Sequence, residues 1–210
     1  MSTFNEDAQW RYATKKFDAT RKISDADLAE LKKAIQLTAS SYGLQPYKVL
    51  IVEDAAIRAQ LQPASWGQSQ IVDASYVIVF ANETNIGDAQ IDAYLDNVAE
   101  TRGMSKADLQ GYGDFMKSKI NAMPEEARNV WTAKQCYLAL GNLLNVAAEL
   151  KIDVTPMEGF VPEQYNEILG LKAMGLSAAV VATVGYRHTE DATQHYPKVR
   201  KSEQDLFIQL

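Results

Sequence analysis

From Ala133 to Leu150 the chain reads AKQCYLALGNLLNVAAEL, small or apolar on nearly every side when wound as a helix. A helix of that kind is buried all round, either at the centre of a domain or in a large subunit interface. Its start is marked by Pro124, tolerated in a first helical turn, with Glu125 and Glu126 suited to the positive helix end. The rest of the fold must be able to cover this one long element.

The other elements follow from local pattern. Ser24 reads as an N-cap with Asp27 three residues on and Ile23 placed to staple Leu28; Leu28, Leu31, Ala34, Ile35 and Thr38 then share a face. That helix must end in the turn 39–46, where Ser40, Ser41, Gly43 and Pro46 gather. Strands are expected over 47–52, 75–81 and 177–186, helices over 54–61, 88–102 and 105–122, and a short helix from Pro162. The elements do not alternate steadily as βαβ, which argues for an α+β fold with helices on both sides of one sheet. The apolar tail Asp205–Leu210 is strand-like and needs a sheet to join, one available sheet being a partner subunit's.

Composition bounds the function. At 210 residues and 47% apolar content, the chain suits one continuous domain over 1–210. A net charge of −6 argues against a general nucleic-acid or anionic-membrane binder. One cysteine, Cys136, leaves no intrachain disulfide framework, and no secretory signal or membrane span is visible, so the cytoplasm is the expected location.

Against that acidic background two basic doublets stand at opposite ends of the chain, Arg11 with Lys15 and Lys198 with Arg200. Alternate side chains of extended backbone share a face, so each doublet can present two cations in one direction, the outline of a phosphate clamp. Solvated surface cations give the same local pattern. No Gly-x-Gly-x-x-Gly opens a helix after a strand, and Walker, Gly-x-Ser-x-Gly and His-Glu-x-x-His patterns are absent from the sequence. His188 and His195 read as solvated loop residues, Cys136 as an unreactive buried thiol, and no metal ligand set emerges. Such a chain suits chemistry carried by a bound organic cofactor.

Six segments, in order, resemble the signature blocks of the FMN-dependent nitroreductase and flavin reductase family: RYATKKF at 11–17, ASSYGLQP at 39–46, GQSQIVDAS at 67–75, AKQCYLALGN at 133–142, PMEG at 156–159 and PKVR at 197–200. The resemblance spans essentially the whole chain. It implies a nitroreductase-like fold: a central mixed, largely antiparallel sheet flanked by helices, in an intertwined homodimer that exchanges C-terminal strands. It also implies FMN as cofactor and NAD(P)H as co-substrate.

Carried over residue by residue, the resemblance gives Arg11, Lys198 and Arg200 to the FMN phosphate. Tyr12, Ala13 and Thr14 lie along the cofactor, and Lys15 approaches the pyrimidine edge, where a cation favours the charge of the reduced ring and two-electron chemistry. Gln68 and Gln70, after Gly67, supply neutral hydrogen bonds to the ring edge. The backbone of Glu158, within Pro156-Met157-Glu158-Gly159, faces flavin N5. Ser40, Ser41 and Tyr42 cross to the FMN held mainly by the other subunit, which puts the cofactor in the dimer interface. Tyr42 and Phe115 border the substrate, and Phe115 or Met116 lies over the flavin.

Three departures from the family pattern stand out: Ala13 where serine is common, Gly67 where asparagine is common, and Tyr42-Gly43-Leu44 after the two serines. The first two each remove a potential hydrogen bond worth roughly 0.5–1.5 kcal/mol. The implied activity is ping-pong hydride transfer through flavin N5 from NAD(P)H to a nitroaromatic, quinone or other small flat acceptor, with no obligatory side-chain proton donor. A flavin reductase using free flavin, and a flavin-binding redox module without turnover, are the alternatives.

Overall fold

Four strands form the central sheet: β1 (Tyr47–Val52), β2 (Tyr76–Glu83), β3 (Asp153–Met157) and β4 (Leu176–Gly185), in the order β1-β2-β4-β3. The computed structural model describes residues 3–210. All three pairings are antiparallel, so any parallel strand of a mixed sheet has to come from outside these four. β2 is buried along almost its whole length because both faces are covered. Ile78 and Phe80 point to one layer and Val77, Val79 and Ala81 to the other.

One layer is built on α2 (Asp25–Gln36) and α7 (Glu125–Glu149), whose Leu31, Ile35, Ala139, Leu143 and Ala147 meet Ile78, Phe80, Val180 and Ala182. The opposite layer is made by α3 (Ala55–Ala64), the short α4 (Gln70–Asp73) and α8 (Pro162–Ile168), around Leu61, Ile71 and Tyr165. Capping follows the local chemistry: Ser24 Oγ accepts from the Asp27 N–H at 3.1 Å, and Asp54 Oδ1 from the Ile57 N–H at 2.9 Å. α5 (Asp88–Arg102) ends on left-handed Gly103 at φ +63°, and α6 (Lys106–Asn121) begins after Ser105, whose Oγ caps Ala107. No helix among the described residues is long and apolar enough to cross a membrane.

Two expectations are modified. Within the chain α7 is covered by the sheet, α2 and α1 (Thr3–Trp10), yet Tyr137 and Leu138 on its other side are 42% and 52% exposed, so it is not buried on every side. The tail turns once as α9 (Glu203–Leu206), capped by Ser202, before Phe207 takes up extended backbone. Leu206, Phe207, Ile208 and Leu210 are all exposed. β3, a strand carrying Pro156, fits because it is a sheet edge, where the missing N–H costs no ladder bond.

Candidate functional site

The segment after α1 lies along the β3–β4 end of the sheet. Phe17 bridges Arg187, the His188 N–H donates to the Lys16 carbonyl at 2.9 Å, and Thr155 Oγ1 donates to the Thr14 carbonyl at 2.6 Å. Beneath it Asp153, 3% exposed, accepts from Arg187 Nε at 2.8 Å and from the Arg187 N–H at 2.8 Å. A second guanidinium nitrogen sits 2.6 Å from the same carboxylate as an ion contact whose angle does not make a hydrogen bond. The Arg187 guanidinium in turn stacks on Trp10 and Tyr12 at 4.2 and 4.6 Å.

This scaffold brings the two ends of the chain around one cavity of about 450 Å³, lined on one side by residues 9–13 and on the other by residues 193–198 and Arg200. Arg11, Lys198 and Arg200 all reach it, and its lining holds no carboxylate. Burial lowers the affinity of Arg11 for its proton, and Arg200 lowers it further; Lys198 is likewise pushed down by burial and then by Arg11 and Arg200. Lys198 Nζ donates to the Arg11 carbonyl, and Arg200 to the Val199 carbonyl at 2.6 Å. Three cations that repel one another, two of them donating to backbone carbonyls and none paired with a carboxylate among the described residues, fit a phosphate.

A cavity of about 400 Å³ between α5 and α6 offers the contrast. Its Lys106 and Lys117 are neutralised by Asp96 and Asp92, each at 2.5 Å, so no cationic charge is left there for an anion. His195, expected as a solvated loop residue, is exposed but lines the cationic cavity.

The remaining residues fall into two groups. Lys15 is exposed, is not among those lining the cavity, and donates its N–H to Asp191 at 2.7 Å; Thr14 is fully buried, its hydroxyl 3.4 Å from Asp153. Pro156 and Met157 end β3, and Glu158, exposed just beyond it, accepts from the Tyr137 hydroxyl at 2.5 Å. Burial, then that carboxylate, pushes the Tyr137 phenol up to about 12. Gln68 Nε2 donates to the Gly159 carbonyl at 2.9 Å and to Ser65 at 3.0 Å, tying the two turns together, while Gln70 is buried at the start of α4. A Cβ on Gly159 would meet the Trp66 ring at 2.9 Å, so a larger residue there would displace that exposed ring.

Ser40, Ser41 and Tyr42 form the other group, away from the clamp and against α6 and α7. Ser40 Oγ accepts from Gln45, the Ser41 N–H donates to buried Gln135 at 2.9 Å, and Tyr42 at φ +57° packs edge-on to Phe115 and Trp131. Met116 is fully buried in the α5–α6 core, which leaves Phe115 as the member of that pair facing outward. Gly67, at φ +73°, has open space around it. Cys136 is fully buried, and burial pushes its thiol up to about 12.

Sequence reasoning missed Trp66 and Asp191. Trp66 is 72% exposed at φ +56°, a strained conformation for a bulky side chain beside Gly159, and its neighbour Gly67 was the only local hint. Asp191 is 3% exposed and accepts five hydrogen bonds, so although burial alone would raise its carboxyl, the donors hold it at about 2. Because the folded-state value is depressed, its contribution is present above the ordinary carboxylate range and is lost as pH falls from about 4 towards 2. Urea unfolding across that window should show wild type losing about 2 kcal/mol that Asp191→Asn does not lose. Parallel pH profiles for the two proteins would contradict this.

The nitroreductase family model matches residues 8–186. The chain is 34% identical over 211 residues to the major NAD(P)H-flavin oxidoreductase of Aliivibrio fischeri, covering 97% of each protein. Among solved structures, a nitroreductase-like protein of Streptococcus mutans superposes with a TM-score of 0.86 at 17% identity, covering 99% of this chain and 98% of that one. A candidate nitroreductase of Exiguobacterium sibiricum, in complex with FMN, gives 0.84 at 20% identity, covering 100% and 98%. With the family model covering most of its length and 34% identity to a relative along 97% of it, the chain belongs to the nitroreductase family.

Proposed function

We propose that this protein is an FMN-dependent NAD(P)H oxidoreductase, a single unit over 1–210, that reduces small flat acceptors such as nitroaromatics and quinones in a ping-pong cycle. The observation that carries the reading is the acid-free cavity where Arg11, Lys198 and Arg200 converge from opposite ends of an acidic chain. FMN, when bound, supplies hydride acceptance and donation at N5. The chain's own part is positioning: the three cations would hold the phosphate, and Tyr12 and Ala13 would line the path from it, braced by buried Thr14 through Asp153 and Thr155. Lys15 would set charge at the ring edge, and Gln68 and Gln70 would steady that edge. The Glu158 backbone would serve N5, with Gly159 keeping that turn slim and exposed Trp66, packed against it, shaping access for a flat substrate.

The homodimer is supported by two features. The exposed apolar side of α7, at Tyr137 and Leu138, is the face that the interface alternative would cover. The outer edge of β1, half-buried at Val49, Leu50 and Ile51 with Lys48 exposed, borders a groove of about 420 Å³ with Lys32; this suits the apolar, acid-led tail 205–210 of a second copy. In that assembly Ser40, Ser41, Tyr42 and Phe115 would serve the partner's cofactor. The sole thiol, buried Cys136, is in keeping with a reducing cytoplasm.

A second reading, a flavin reductase with free flavin as acceptor, is favoured by the name of the Aliivibrio fischeri relative. The test is optical. Purified protein supplied with FMN should retain a flavin spectrum through gel filtration and bleach on anaerobic mixing with NADH or NADPH. A colourless protein ends the reading, and a bound flavin that does not bleach ends the enzyme part of it. Steady-state rates with quinone, nitro compound and free flavin then separate the two readings.

A further inference from the structure

We infer that Asp191 is the positioning residue that assembles the phosphate clamp, an inference that rests on the proposed FMN function. Its two oxygens divide their work. Oδ1 accepts from the Thr193 N–H at 3.0 Å and hydroxyl at 2.6 Å, which fixes the 3₁₀ turn Ala192–His195 leading to Lys198. Oδ2 accepts from the Tyr12 hydroxyl at 3.0 Å and from the N–H groups of Lys15 and Lys16 at 2.7 and 3.1 Å.

A carboxylate that merely shaped its own turn would need only the Thr193 bonds. The Oδ2 bonds instead cross 175 to 179 residues of sequence and grip the arm that carries Arg11 and Lys15. Both walls of the cavity, Arg11–Ala13 and Thr193–Lys198, are thus hinged on one buried anion. Asp191 itself does not line the cavity, so its charge is spent on the scaffold while the charged side chains of the lining stay cationic. It therefore acts on the cofactor only through the segments it holds, most strongly at the phosphate end, where both walls supply cations, and less at the ring edge, where Lys15 alone depends on it.

That asymmetry sets the experiment. Full-length protein is titrated by fluorescence with FMN and with riboflavin, which share the ring and differ by the phosphate. Wild type should prefer FMN. Asp191→Asn, isosteric but carrying an amide N–H₂ where an oxygen met donors, should lower that preference about tenfold, with FMN affinity falling far more than riboflavin affinity. Thr193→Val removes a single bond and should lower the preference by a few-fold; it decides the matter if the asparagine variant does not fold.

An unchanged preference in a folded Asp191→Asn, equal weakening of both flavins, or an unchanged preference in Thr193→Val where that variant has to decide would overturn the inference. A wild type that prefers FMN under those outcomes leaves the proposed function standing. A wild type that binds neither flavin overturns the function and this inference with it.

Discussion

Substituting Lys198 by methionine is expected to raise the dissociation constant for FMN by roughly ten- to a hundredfold, the loss of one charged hydrogen bond to phosphate at about 1.5–3 kcal/mol. The same substitution should leave the flavin-free protein as stable as wild type or slightly more so. Both halves follow from the cavity: without an anion, Lys198 faces Arg11 and Arg200, and burial together with those two cations lowers its hold on its proton. Methionine keeps the apolar stem and removes the repulsion. It also removes the bond to the Arg11 carbonyl, which limits the gain. Flavin titration and thermal unfolding of the flavin-free form, in the same buffer, read the two effects. Unchanged FMN affinity, or a melting temperature several degrees lower without flavin, would count against a clamp made of mutually repelling cations.

The elements that were legible in the sequence are those whose signals are local. β1 lies between Pro46 and Glu53 as a β-branched and aromatic run, and α5 is bounded by Gly87 and left-handed Gly103; both take the expected limits. α3 was expected to end at Leu61 but runs to Ala64 through Pro63, because Ala64 packs into the core under the sheet and holds the last turn. β3 was hidden by Pro156, which is acceptable only because topology makes that strand an edge, a fact no window of a few residues contains. The same limit governs the site. Arg11 and Arg200 were visible as basic doublets, yet nothing local separated them from solvated surface until the fold set both around one cavity. Asp191 in Glu-Asp-Ala-Thr reads as a turn former, and its decisive partners lie at the other end of the chain.

Asp153→Asn should be the most destabilising of the substitutions considered, by about 3–5 kcal/mol, the usual cost of removing one partner of a buried ion pair. The side chain of Arg187 is 20% exposed and has Asp153 as its carboxylate, so the asparagine leaves a largely buried cation without its counter-charge. For a chain of this size that loss should lower the melting temperature by on the order of 10 °C. The effect should reach the cofactor as well, since Asp153 meets the Thr14 hydroxyl and Arg187 supports the rings of Trp10 and Tyr12 beside the cavity. The double variant Asp153→Asn with Arg187→Met distinguishes charge from packing. Removing the stranded cation should recover a large part of the stability, because replacing both members of a buried pair is often nearly neutral, while the lost stacking on Trp10 and Tyr12 keeps the recovery incomplete. Strict additivity of the two single losses in thermal unfolding would mean that the pair is not coupled, and that this end of the sheet is held by the backbone bonds of residues 14–18 alone.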